Sequence, residues 1–459
     1  MSGRRIVTPE DLATRIDAGE IDTVLAVFPD LQGRFMGKRV TGHFWLEHVS
    51  GHEGFEACNY LLAVDVDMNV LPGYRFANWD LGYGDFRAVA DLSTIRLIPW
   101  LEKTALVLCD LYDVDTGAPI QVAPRQILRL QVERATAKGY TMMVGSEIEF
   151  FLFKENFEEA FAKGYKDLTP HANYIEDYHI LQTSKDEYVI RAIRNGMDGA
   201  GVPIEFSKGE AEWGQHEINL RYAEALEMAD RNAIYKNGAK EIAHFHGRSI
   251  TFMAKYDIAK VGSSCHIHSS VWNEDTSVSL MYDHDKPHHM SDLFRWYLGG
   301  LMATARPFAW MFAHYVNSYK RYQPDSWAPT AVAWGLDNRT CGFRKVGHGQ
   351  GTRVESRIPG ADTNTYLAFA ATIAGGLYGI ENKIDPGAPF EGNGYTASDV
   401  PRVPWNIVEA IDLLEGSDVA QQVLGEEVHF HLLNTAKQEW RFFNKWVTDW
   451  ERQRNFERI

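Results

Sequence analysis

The spacing of apolar and polar positions divides the chain unevenly. Thr8-Pro9-Glu10-Asp11 opens a helix, with a Thr cap, Pro at the first helical position and acids in the first turn. The helix is expected to run to about Ala18 and stop at Gly19. Residues 22–30 (DTVLAVFPD) read as a strand, Gln32-Gly33 as a turn, and Lys38-Arg39-Val40 as part of a return strand. Two more strands are expected at 94–98 and 105–109. Residues 113–119 are turn-rich, so we place a boundary there and read residues 1–115 as a small strand-rich domain and 116–459 as a larger one. In the larger part, a helix is expected from Pro124 to about Ala137 and a strand over 144–153. Further helices are expected over 291–314, 362–380 and 404–416, with a terminal helix within 428–459. His244-Phe245-His246 before Gly247 reads as a helix end. The class is α+β, with no internal repeat.

Composition narrows the partners. A length of 459 residues suits two unequal domains. Lys and Arg number 46 against 62 Asp and Glu, a net charge of −16, which argues against a nucleic-acid partner. No run approaches the roughly 18 apolar residues of a membrane span, and the start, Met1 to Asp11, has no apolar signal-peptide core. The four cysteines form no CxxC pair, which reads as reduced thiols in the cytoplasm. Gly33–Arg39 imitates a phosphate-binding loop, but its spacing is one short and Arg39 replaces the metal-holding Ser/Thr. His284, His288 and His289 lie in a polar stretch and read as a solvated loop.

Five segments carry the chemistry. In Gly145-Ser-Glu147-Ile-Glu149-Phe-Phe-Leu-Phe153, the period of two puts both glutamates on one side of an apolar strand. Glu210-Ala-Glu-Trp-Gly-Gln215-His-Glu217 adds two acids across a turn. In Gly262-Ser-Ser-Cys265-His266-Ile-His268-Ser269, the histidines share one strand face. The fourth segment holds Asn317-Ser-Tyr-Lys320-Arg321, Arg339 and Arg344. The fifth, Arg353-Val-Glu355-Ser-Arg357, again aligns alternate charges. Each set alone is explained equally well by a solvated face. Together they imply a common site. Carboxylates about 6 Å apart, at an effective dielectric of about 20, repel by roughly 3 kcal/mol per pair. Such a cluster persists around cations, and carboxylates with a single imidazole suit Mg²⁺ or Mn²⁺. Arginines beside those metals suit phosphate and carboxylate ligands.

This ordered set resembles the glutamine synthetase superfamily, type I, from about residue 20 to the end. The resemblance implies an N-terminal β-grasp domain and a C-terminal catalytic domain built on an antiparallel sheet with flanking helices. It implies a homododecamer of two hexameric rings with sites between subunits. The implied substrates are glutamate, ATP and an amine, with two to three Mg²⁺ or Mn²⁺ ions. By the same resemblance Glu149, Glu210 and Glu217 hold one metal, and Glu147, His266 and Glu355 the other. Tyr222, His268, Ser269, Arg344 and Arg353 match ATP contacts; Gly262, Arg321 and Arg357 match glutamate contacts. Arg339 lies near the reacting phosphate, and Asp85 matches the ammonium-binding Asp lent by a neighbouring subunit.

The departures concern the amine. Glutamine synthetases carry a P-G-Y-E-A-P flap whose Glu binds and deprotonates ammonium; here the segment is Pro324-Asp-Ser-Trp327-Ala-Pro329. An indole cannot accept a proton, but it packs against alkyl carbon. Val261 replaces a usual Asn, Lys208-Gly209 replaces a His pair, and the adenylylation motif is absent, with Asn393-Gly-Tyr395 in its place. The chain therefore looks like the γ-glutamyl-polyamine, -ethanolamide and -alkylamide synthetases of amine catabolism. Two alternatives stay open: a true glutamine synthetase using ammonium, and a catalytically silent structural homologue.

Overall fold

The computed structural model describes residues 7–51, 53–175 and 177–459, so that Met1–Ile6, where no signal-peptide core was read, lies outside them. The first helix spans Pro9–Asp17, with the Thr8 hydroxyl accepting from the Asp11 amide at 3.1 Å. It buries Leu12 and Ile16 and ends before Gly19, whose φ of +70° fits a left-handed stop. The first sheet contains β1 (Thr23–Pro29), β2 (Phe35–Thr41), β3 (Phe55–Cys58), β4 (Asp85–Ala90), β5 (Arg96–Leu97) and β6 (Thr104–Asp113). Its order is β2-β1-β6-β4-β3, with β5 on β6 and a parallel central pair β1–β6. One face of that pair, with Val24, Ala26, Phe28, Ala105 and Val107, forms a core of its own. The other, with Leu25, Val27, Leu106 and Leu108, joins the main core.

The second sheet holds β7 (Tyr140–Phe153), β8 (Ile204–Gly209), β9 (Gln215–Glu224), β10 (Ser249–Thr251), β11 (Cys265–Asn273), β12 (Trp334–Leu336), β13 (Phe343–Val346) and β14 (Arg353–Ser356). The order is β12-β13-β14-β11-β7-β9-β8, with β10 on β7. All pairings are antiparallel except β12–β13, so the expected purely antiparallel sheet has one parallel edge pair. Helices Pro124–Thr136, Ala225–Phe245, Asp292–Thr304 and Thr365–Asn382 supply buried residues to the main core. Arg125, 3% exposed, ties the two sheets together by pairing with Asp91 and Asp110 of the first part and Asp230 of the second.

Element ends depart from the sequence expectations for local reasons. The helix expected over 291–314 stops at Thr304 and resumes as Ala309–Phe312, because Pro307 lies between. The helices expected from 362 and 404 begin at Thr365 and Ile407, after the caps Asn364 and Asn406. The tail is two helices, Glu426–Phe443 and Asp449–Asn455, because Thr448 and Glu451 form a capping box that starts the second. Residues 92–94 form a 3-10 turn, which leaves β5 only two residues long. Gly33–Arg39 is a turn running into β2, where Arg34 binds Asp30 at 2.8 Å. His284, His288 and His289 are exposed.

Candidate active site

Strand register builds the site. Glu149 of β7 lies directly across from Glu217 of β9, and Glu217 across from Lys208 of β8. On the other side of β7, Glu147 faces His266 of β11. His268 faces Glu355 of β14, and Glu355 faces Arg344 of β13. Like charges set opposite each other destabilise a sheet, so this row needs compensation by cations.

The compensation is uneven. At the Glu355 end, Arg344 donates to Glu355 at 2.7 Å and Arg357 at 2.5 Å. His268 Nε2 lies 2.8 Å from Glu147, and His266 Nδ1 lies 3.2 Å from Glu147 and 3.6 Å from Glu355. Burial alone would raise Glu355, but Arg357 and then His266 hold it down to about 2. Burial likewise opposes ionisation of Glu147, yet hydrogen bonds from His266 and His268 keep its carboxyl well below the usual range. Burial and then Arg357 push His266 down to about 4.

At the other end, Glu149, Glu210 and Glu217 converge with Lys208 as the nearby cation, paired to Glu210. Burial and then Glu210 push Glu149 up to about 7. Burial, then Glu147, Glu210 and Glu149, push Glu217 well above the carboxylate range. Glu149 is held by the Ser264 amide at 2.7 Å, the Ser264 hydroxyl, and Gln215 at 3.2 Å.

The donor atoms fit divalent metals. Among the described residues, three groups have their ligand atoms within 4.8 Å of one another: Glu149 with Glu210 and Glu217; Glu147 with Glu217 and His266; and Glu147 with His268 and Glu355. The first is the set expected for one metal. For the other, His266 and His268 both stand within reach of Glu147. Mostly hard oxygen donors with an imidazole suit Mg²⁺ or Mn²⁺.

Two cavities meet at Glu147 and Phe206. The larger, about 760 Å³, is lined by the carboxylate cluster with Gly262, Arg321, Arg339, Arg344, Arg357 and Trp327. The smaller, about 420 Å³, is lined by Tyr222, His268, Ser270 and Arg353. Arg353 donates to His268 Nδ1 at 3.1 Å. At Gly262 a Cβ would meet the Ala254 carbonyl at 2.6 Å and Arg321 Cγ at 2.7 Å, so only glycine lets the buried Arg321 pass. Arg321 donates to the carbonyls of Ile358 and Arg357. Trp327 is 58% exposed at φ +63°, on a flap whose Ser326 hydroxyl is tied to the carbonyls of Gln323 and Arg321.

Three expected residues lie elsewhere. Ser269 faces away from the smaller cavity, where its Oγ accepts from Tyr297 at 2.9 Å; strand alternation puts Ser270 beside His268 instead. Arg344, expected on the nucleotide side, lines the larger cavity. Asp85 is exposed at the start of β4 and lines neither cavity. Ser264 and Ser270 were not singled out from sequence; for Ser270 the signal was present in the two-residue period after His266 and His268.

The family model for the glutamine synthetase catalytic domain matches residues 121–455. The chain belongs to the glutamine synthetase family. It is 49% identical to the γ-glutamylethanolamide synthetase GlnA4 of Streptomyces coelicolor, covering 98% of this chain and 96% of that protein. It is 36% identical to a glutamate–isopropylamine ligase of a Pseudomonas species, covering 95% of each. The solved structure of a GmaS/ADP complex aligns with a TM-score of 0.85 at 27% identity, covering 97% of this chain and 99% of that one.

Proposed function

We propose that this protein is an ATP-dependent ligase that joins the γ-carboxyl of glutamate to an organic primary amine, releasing ADP and phosphate. The observation that carries the reading is Trp327, an indole lining the cavity that holds the carboxylate cluster. The names of the Streptomyces and Pseudomonas relatives, both glutamate–amine ligases, support it.

In this reading ATP occupies the smaller cavity, with its base against Tyr222 and its phosphates toward His268 and Arg353. Ser270 takes the part expected of Ser269. Glutamate lies in the larger cavity against Gly262, Arg321 and Arg357. Its γ-carboxylate oxygen attacks the γ-phosphorus, forming γ-glutamyl phosphate and expelling ADP. Arg339 and Arg344 offset the charge on the transferred group. The amine nitrogen then attacks the acyl carbon, the bond to phosphate breaks, and the amine proton passes to a carboxylate. Two to three Mg²⁺ or Mn²⁺ ions, held by Glu149, Glu210 and Glu217 and by Glu147 and Glu355 with His266 between them, would neutralise phosphate charge.

Asp85 accepts that proton from a neighbouring copy in a dodecamer of two hexameric rings. Its exposure, six residues after Trp79, which is itself 83% exposed, supports a contact there. The first sheet, with its parallel central pair, supports a β-grasp domain ending near residue 115. Among the described residues no helix is long and apolar enough to cross a membrane. Phosphate release with glutamate, ATP and a panel of amines including ammonium tests the reading: an organic amine is expected to be used best. Preference for ammonium over every organic amine would restore glutamine synthetase, and no release with any amine would restore a silent homologue.

A further inference from the structure

A third cavity, about 200 Å³, lies away from the reaction centre between the loop at 65–71, the segment 310–315 and the helix Glu426–Phe443. Its walls are aromatic: Trp310, Tyr315, Phe442, Phe443 and Trp446. Aromatic faces attract cations, and here Lys320 and Lys445 already stand 5.7 and 5.4 Å from the Phe443 and Phe442 ring centres. Among these rings sit polar groups that lack partners. His314 is 4% exposed, and neither ring nitrogen has a hydrogen bond. The Gln32 side-chain oxygen is buried and also unpaired. Glu439 accepts a long bond of 3.4 Å from the Val316 amide, and no ion pair reaches it among the described residues.

Of the other charges nearby, Asp67 also lines the cavity, whereas Asp65 and Arg34 are committed. Asp65 accepts from the Asp67 and Asn69 amides and from the Asn69 side chain, closing its own loop. Arg34 is held by Asp30 and by the carbonyls of Asp65 and Val66. Burial raises Glu439, and the nearby Asp65 and Asp67 add to the shift. Burial pushes His314 down to about 3, so it stays neutral and able to bond a hydroxyl.

We propose that this cavity binds a small organic ammonium ion, with Glu439 opposing its charge and the aromatic walls covering its carbons. The volume admits a chain of a few carbons and excludes a nucleotide. The site is independent of the reaction assigned above, because none of these residues lines the other two cavities.

Calorimetry on the Mg²⁺-loaded full chain, with choline and with ethanolammonium as probes and sodium at matched ionic strength as control, tests it. Choline has no N–H and cannot be acylated at nitrogen, so its binding reports no turnover. Choline is expected to bind saturably, one per chain, and ethanolammonium at the same place in addition to the reaction centre. Glu439→Gln, which keeps the acceptor for the Val316 amide, is expected to weaken both by about tenfold or more, since the opposing charge is removed. Trp446→Ala, at an exposed position, is expected to weaken choline by about threefold or more while phosphate release without choline is unchanged. Equal affinity in wild type and both variants, or no saturable binding up to about 10 mM, overturns the proposal.

Discussion

Replacing Trp327 with glutamate exchanges an apolar wall for a carboxylate in the cavity where the amine is proposed to arrive. The indole is 58% exposed, so ring surface is free for an incoming carbon chain to cover. Each methylene removed from water contributes about 0.8 kcal/mol, so the two carbons of ethanolamine gain up to about 1.6 kcal/mol, roughly tenfold or somewhat more. A carboxylate in the same place favours a bare ammonium by about one pKa unit or more, again roughly tenfold. The ratio of kcat/KM for ethanolamine over ammonium is therefore expected to fall by about a hundredfold in Trp327→Glu. Phosphate release under steady state with each amine measures it. Trp327→Gly provides a control for packing. The φ of +63° costs a non-glycine residue about 1–3 kcal/mol, and glycine removes that strain. The glycine variant is expected to lose the preference for organic amines without losing thermal stability. Equal changes in kcat/KM for ethanolamine and ammonium in Trp327→Glu, or a drop in Tm with unchanged preference in Trp327→Gly, would refute the reasoning.

Glu149→Ala and Glu355→Ala are each expected to lower phosphate release by about a hundredfold or more while the protein stays folded by circular dichroism, because each removes a donor from a different end of the carboxylate row. Glu149 pushed up to about 7, with Glu217 also raised well above its usual range, means that metal binding to the metal-free chain displaces protons. Apparent Mg²⁺ affinity should therefore rise with pH through 7, and calorimetry in buffers of different ionisation enthalpy should detect the released protons; affinity independent of pH between 6 and 8 (roughly one proton's range) would contradict it. The sign for stability is opposite: a carboxyl raised from 4.5 to about 7 in the folded state stabilises below 4.5, and that stability is lost as pH rises through 7. The metal-free protein should thus show a falling Tm over that window, and Mg²⁺ should restore it. Asp85→Ala is expected to raise KM for the amine more than KM for ATP, and mixing it with Glu355→Ala subunits should recover activity; verified mixed assemblies without recovery would exclude sharing of Asp85 between copies.

Much of the site was legible because strand alternation is a local property. The pairs Glu147 and Glu149, His266 and His268, and Glu355 and Arg357 point to one side whatever the rest of the chain does. The helix start at Thr8 was readable, since a cap acts within one turn, whereas the helices expected from 362 and 404 began later, at the Asn364 and Asn406 caps. The same alternation puts Ser270 rather than Ser269 on the cavity wall. Register and packing, by contrast, join residues far apart in sequence, and no local pattern encodes which rung of β9 meets β7. The tertiary structure decided that Glu149 stands opposite Glu217, which turns two ordinary strand acids into a buried pair with raised pKa values. It also decided that Arg344 and Arg357 converge on Glu355, leaving the Glu149 end short of positive charge. Sequence alone determined which side chains share a strand face, because the backbone alternates every residue; only the fold decided which faces meet, because that depends on how the cores on either side of the sheets close.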